Sequence, residues 1–226
     1  MKRGFYTIMS AQFFSSLADN ALFVAAVELL RTSGAPEWQR AALVPMFALF
    51  YVVLAPFVGA FADALPKGRV MFFSNAIKIV GCLMMLFGSH PLIAYAVVGL
   101  GAAAYSPAKY GILTELLPAS QLVKANGWIE GLTIASIILG VLLGGQLVGH
   151  HLSAALLSID IPMIDFGIHT AAEAAIAALI LVYALAAWFN TRIPHTGVEM
   201  RPLRQHPQRS ILASTLALLP DFWACN

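Results

Sequence analysis

Charge is what this chain lacks. Of its 226 residues only 11% are Asp, Glu, Lys or Arg, against roughly 25% in an ordinary soluble domain. A net charge of +2 leaves no basic footprint for a nucleic acid. Cysteine is scarce as well: Cys82 lies inside an apolar run and Cys225 at the far end. Two such cysteines do not suggest a bridge, which excludes a disulfide-stapled secreted module. No His, Cys, Asp or Glu cluster has metal-ligand spacing and no glycine loop is built to cradle a phosphate, so neither a metal nor a cofactor is expected. The alternating segments of about ten residues that mark a membrane β-barrel are missing too. Apolar residues are what is abundant, at 60% of the chain with a mean hydropathy of +0.81. That is more than one globular core can hide from water. The solvent must therefore be lipid, which excludes a water-soluble enzyme and a disordered chain.

A helix needs about 20 mainly apolar residues to cross the hydrocarbon core. Six runs qualify, at 5–30, 41–62, 70–88, 92–113, 127–149 and 169–189, and they predict an all-α polytopic membrane protein with a six-helix bundle over residues 1–190. The first run is not a cleaved signal peptide, because Asp19, Asn20 and Glu28 interrupt it and no small-residue cleavage site follows a short apolar core. Residues 191–226 open on a basic, Pro-rich stretch that reads as a cytoplasmic linker, and the apolar run before Pro220 is too short to span.

Alternate loops place Lys2, Arg3, Lys67, Arg69, Lys124, Arg192, Arg201, Arg204 and Arg209 on one side, and only Arg31 and Arg40 on the other. The positive-inside rule then puts both termini in the cytoplasm. Lys78 and Lys109 are left over, and both fall inside spans. The six helices divide into two triplets whose first helices carry Asp19 and Lys109, a pattern consistent with the three-helix inverted repeats from which many transporters are built.

Chemistry in such a chain concentrates where polar groups enter the membrane. At about 100° per residue, Gln12, Ser15, Ser16 and Asp19 share one face of the first helix. A carboxylate at bilayer depth costs about 2.5–3.5 kcal/mol even on lenient scales, so Asp19 should face a cavity or a cation. The alternative is a purely structural contact between helices. In the fourth helix Tyr105, Ser106 and Lys109 share a face, and Pro107 predicts a kink or local unwinding. An ammonium there suits a phosphate or carboxylate, or pairs with Asp19 when the site is empty; snorkelling is the other reading. Lys78 reads as snorkelling or structurally paired.

Three stretches carry a resemblance. Gly59, Asp63, Lys67, Gly68 and Arg69 resemble the loop signature of the major facilitator superfamily between its second and third helices, with two extra residues between Asp63 and Gly68. The resemblance implies a cytoplasmic gating loop. Gly131, Gly140, Gly144 and Gly145 resemble the glycine-rich fifth helix of superfamily antiporters, although Gly145 stands where that pattern has Pro; close helix packing explains the glycines equally well. The strings ADNALF, KGRVMFFSNAIK and AAAYSPAKYGIL are similar to the bacterial lysophospholipid transporter family. That resemblance implies one six-helix half of a major facilitator fold, not an enzyme, which moves lysophospholipids such as lysophosphatidylethanolamine across the bacterial inner membrane. In the cytoplasmic leaflet an acyltransferase would re-acylate them. It further places Asp19, Asn20 and Lys109 in the central cavity; with Ser16 and Tyr105 from the two polar helix faces they make up the expected substrate site, in which Lys109 would meet the phosphate and Asp19 an amine, a coupling cation or Lys109 itself. Alternating access needs a second half, so a C-terminal half is the expected partner besides substrate and membrane lipid.

Two other readings stay open. A drug or small-solute exporter would use the same fold. An intramembrane lipid enzyme would need a nucleophile and base that converge, yet His90, His150, His151 and His169 fall near loops with no membrane serine at helical spacing.

Overall fold

A computed structural model describes residues 3–55, 62, 65–157 and 168–194. Among them are seven helices and no strand: α1 (Arg3–Thr32), α2 (Glu37–Val53), α3 (Lys67–Leu86), α4 (Pro91–Leu116), α5 (Ala119–Val148), α6 (His150–Leu157) and α7 (Ala171–Thr191). Five of these, α1, α3, α4, α5 and α7, are long and apolar enough to cross a membrane. α2 has 17 residues, shorter than the expected 41–62 run, and most of that run beyond it lies outside the described residues. The short α6 was not foreseen; it takes His150 and His151 into a helix of eight residues. Of the stretch expected as a linker, residues 195–226 lie outside the described residues.

Local sequence explains where the helices begin and stop. Gly34 and Gly88 adopt φ of 69° and 77°, the left-handed region that glycine tolerates. There Ala35 N–H donates to the Leu30 carbonyl at 3.1 Å and Ser89 N–H to the Met84 carbonyl at 2.9 Å, closing Schellman motifs that end α1 and α3. Proline stands just before α2, α3 and α5, as Pro36, Pro66 and Pro118. α7 opens on a capping box: Thr170 Oγ1 accepts from Glu173 N–H at 3.2 Å, while Glu173 Oε2 accepts from Thr170 N–H at 2.8 Å. α4 stays helical through Pro107 instead of unwinding there, since only the single carbonyl of Ala103 loses its donor.

The helices run up and down. α1 packs on α5 and α7, α3 on α4 and α7, and α2 on α4. One end gathers the start of α1, the start of α3, the end of α4 and the end of α7: a Cβ on Gly4 would meet Pro194, one on Gly68 would meet the Asn190 carbonyl, and one on Gly111 would meet Lys67. Lys67, Arg69 and Arg192 therefore share an end, with Arg31 and Arg40 at the other.

Two apolar clusters fill the bundle. Toward the Lys67 end lie Phe5, Ile8, Val70, Met71, Ile112 and Ile129. Toward the other lie Leu22, Leu30, Leu43, Cys82, Val98 and Ile176. Sequestered between them is a layer of buried polar side chains, among them Gln12, Ser15, Asn75 and Lys78. The outer surface is apolar in turn, with Val52, Val123, Leu142 and Leu181 well exposed.

Candidate functional site

The polar layer opens into a cavity of about 140 Å³ lined by α1, α2, α3, α4 and α5. α1 contributes Gln12, Ser15, Ser16 and Asp19, the stripe its periodicity predicts, and α4 contributes Tyr105, Ser106 and Lys109. Tyr51, Lys78, Ala102 and Thr133 complete the wall.

Asp19 has a different partner from the one expected. Its Oδ2 lies 2.7 Å from Lys78 Nζ, and the Lys78 side chain is only 2% exposed. Its Oδ1 accepts from the Tyr183 hydroxyl at 2.8 Å. Lys78 also donates to Ser15 Oγ at 2.9 Å, and Ser15 donates in turn to Asn75 Oδ1 at 2.7 Å. The Lys78 ammonium stands 5.3 Å from the Tyr105 ring centroid and 5.6 Å from that of Tyr183. Carboxylate, hydroxyl and two ring faces thus surround one ammonium, which is how a charge survives burial. Asn75 and Lys78 are three residues apart on α3, so both reach the same face of α1. The Tyr105 hydroxyl and Asn75 Nδ2 are buried without a hydrogen-bond partner among the described residues.

Lys109 is left outside this network. Its ammonium makes no hydrogen bond among the described residues; it lies 3.9 Å from Glu130 Oε1, past hydrogen-bond reach, and 4.4 Å from the Tyr110 ring centroid. Gln12 closes another wall by donating to Thr133 Oγ1 at 3.1 Å. Asn20 does not line the cavity: its amide donates back to the Ser16 carbonyl at 2.8 Å.

The loop residues separate. Gly59 and Asp63 lie outside the described residues. Lys67 is buried, donates to the Ala62 carbonyl at 2.7 Å and stands 3.9 Å from Glu115. Gly68 sits against α7, where a Cβ would lie 3.2 Å from the Asn190 carbonyl; Arg69 follows in the first turn of α3. The glycine stripe of α5 divides as well. A Cβ on Gly140 would come within 2.6 Å of the Leu17 carbonyl and one on Gly144 within 2.8 Å of the Ala21 carbonyl, so both are sites of close approach by α1. Gly131 and Gly145, expected as packing residues, would meet nothing within 4 Å. They lie on the face of α5 turned from α1.

Sequence reasoning missed Tyr183 and Glu130. Tyr183 had a signal, a phenol inside the otherwise apolar α7, because a buried hydroxyl needs a partner. Glu130 had one too, as a carboxylate near the start of the fifth run.

The arrangement is a polar cavity inside an apolar bundle that holds a carboxylate paired with Lys78 and a second ammonium, Lys109, that donates no hydrogen bond among the described residues. Such a helical bundle with charges at its polar centre is the architecture of a secondary transporter half. The sequence profile of the Major Facilitator Superfamily matches residues 8–224, and the chain belongs to that superfamily. It is similar to the lysophospholipid transporter LplT of Yersinia enterocolitica, with 44% identity over 207 residues that cover 89% of this chain and 46% of the relative. LplT of Yersinia pestis strain Pestoides F matches at the same identity and coverage. The chain thus spans about half the length of the curated relatives it matches. Its fold is similar to the crystal structure of a bacterial homologue of the human lysosomal transporter Spinster, with a TM-score of 0.68 and 20% identity, over 99% of this chain and 51% of that one.

Proposed function

We propose that this chain forms a lysophospholipid-binding half of a transporter in the bacterial inner membrane, with both termini in the cytoplasm. The observation that carries the reading is Lys109, an ammonium on the cavity wall that is 9% exposed and donates no hydrogen bond among the described residues. A phosphate offers such a group several oxygens at once. The similarity to LplT supports a lysophospholipid as the source of that phosphate. Ser16 and Tyr105 contribute polar and aromatic wall, and Asp19 holds the Lys78 ammonium in place. Asn20 acts behind the wall, fixing α1 through Ser16.

Transport by alternating access rocks one six-helix half against another, so a second half is the partner this reading requires. Lys67, Gly68 and Arg69, at the end where α3 meets α7, would form with Gly59 and Asp63 the loop that gates the cytoplasmic side. Flux toward the cytoplasmic leaflet would feed an acyltransferase there. Uptake of labelled lysophospholipid into spheroplasts tests the reading: Lys109→Ala in the transporter should lower uptake at least about tenfold, the scale of losing hydrogen bonds to a charged group. Undiminished uptake would sink it.

A further inference from the structure

Two arginines at the Lys67 end have no anion beside them. Lys67, Lys78 and Lys109 each stand near a carboxylate, that of Glu115, Asp19 and Glu130. Arg69, in the first turn of α3, and Arg192, which caps the end of α7, are exposed, and neither is paired with a carboxylate among the described residues. The Arg192 guanidinium instead lies over the Trp188 ring, 4.7 Å from its centroid. A guanidinium held over a ring face still has N–H groups to donate.

Behind each arginine runs a stripe with the polarity profile of a lipid molecule. On α7, Leu181, Leu185, Trp188 and Arg192 fall within one narrow arc at about 100° per residue, and all four are exposed. The order toward the helix end is aliphatic, aromatic, cationic, with Arg192 about 6 Å beyond Trp188 along the axis. On α3, Val80, Phe73 and Arg69 repeat that order toward the same end and are exposed as well. Tryptophan favours the boundary between hydrocarbon and headgroups, which sets the two guanidiniums at the depth of phosphates. The helices pack on each other, and at this end they touch: a Cβ on Gly68 would lie 3.2 Å from Ile193 Cβ, and Arg69 and Arg192 are the chain neighbours of those two residues. We infer that the outer seam between α3 and α7 binds an anionic diacyl phospholipid, its phosphate shared by Arg69 and Arg192 and its chains laid along the two apolar stripes. This site lies on the outside of the bundle and does not depend on the cavity or on Lys109. Charge selects the lipid: two unpaired guanidiniums match a headgroup of net negative charge, whereas a choline headgroup brings a cation of its own.

Native mass spectrometry of the purified chain tests this, with the protein released from micelles that hold equal amounts of phosphatidylglycerol and phosphatidylcholine. The wild type should retain phosphatidylglycerol over phosphatidylcholine. Arg192→Gln and Arg69→Gln should each lower the retained phosphatidylglycerol about fivefold, the scale of one basic residue at an anionic membrane surface, and leave phosphatidylcholine unchanged. Trp188→Leu keeps the charge and releases the guanidinium, so it should lower retention by less. Arg31→Gln removes the same charge at the opposite end, and Lys109→Ala removes one from the cavity wall; both should retain the lipid as the wild type does. Thermal unfolding of each variant separates a lost lipid from a lost fold. A wild type without preference between the two lipids overturns the site. A fall in Arg31→Gln as large as in Arg192→Gln overturns it too, because total charge then explains the binding. Loss of the lipid in Lys109→Ala would place it in the cavity and overturn the outer site while leaving the reading of Lys109 intact.

Discussion

Lys78 of α3 stands 2.7 Å from Asp19 of α1, and the pair joins the two helices at the level where the two apolar clusters meet. Tyr183 from α7 completes it on the far oxygen of Asp19. Three helices are therefore tied at one carboxylate, which is buried except where it meets the cavity. The tie has an asymmetric consequence: breaking half of it is worse than removing all of it.

Replacing Lys78 by Met leaves the Asp19 charge without its cation, and stability should fall by about 3 kcal/mol, toward the low end for a buried pair because Asp19 is 17% exposed to the cavity. Adding Asp19→Asn to Lys78→Met should recover part of that loss. Thermal unfolding of the single and double variants in nanodiscs measures both; a double variant no more stable than Lys78→Met would show that the pair is not coupled in this way.

Tyr183→Phe removes one hydroxyl from a buried tyrosine and keeps the ring that faces Lys78. Loss of a hydrogen bond to a charged acceptor should lower stability by about 1.5–3 kcal/mol. If Tyr183 were merely core, the phenylalanine would be neutral, so the same unfolding measurement separates the two.

Much of this site is legible in the sequence, and the limits are physical. The stripe Gln12, Ser15, Ser16, Asp19 and the trio Tyr105, Ser106, Lys109 follow from helical spacing alone, because one helix cannot rotate one part of its face away from another. All seven line the cavity. Spacing within a helix says nothing about how far a neighbouring helix is turned. That turn decided which lysine reaches Asp19, and it is set here by Ser15 meeting Asn75 and by Gly101 against Lys78. The same limit split the glycines of α5: their small size was plain, while the side on which α1 lies was not.

The capping box of α7 joins His169, Thr170 and Glu173 at the end of the bundle opposite Lys67. Thr170→Ala removes the acceptor for Glu173 N–H and should lower stability by about 1 kcal/mol. Amide exchange should rise in the first turn of α7 and stay unchanged around Tyr183, since the cap acts only on the local backbone donors. Uniform exchange across α7 would argue against a local cap.

Glycines of α5 that look alike should respond oppositely to one added methyl. At Gly140 a Cβ would come 2.6 Å from the Leu17 carbonyl and 2.9 Å from Asn20 Cβ, so α1 and α5 must move apart. Backbone cannot yield as a flexible side chain does, and Gly140→Ala should cost about 1–3 kcal/mol. Asn20 braces the turn of α1 that holds Ser16 and Asp19, so ligand binding should weaken along with stability. At Gly145 nothing lies within 4 Å, and alanine there lowers the entropy of the unfolded chain without a clash. Gly145→Ala should leave binding unchanged and raise stability by about 0.5–1 kcal/mol. Thermal unfolding and lysolipid binding of the two variants in nanodiscs decide the matter. Equal effects at the two positions would mean that α1 does not approach α5 through Gly140.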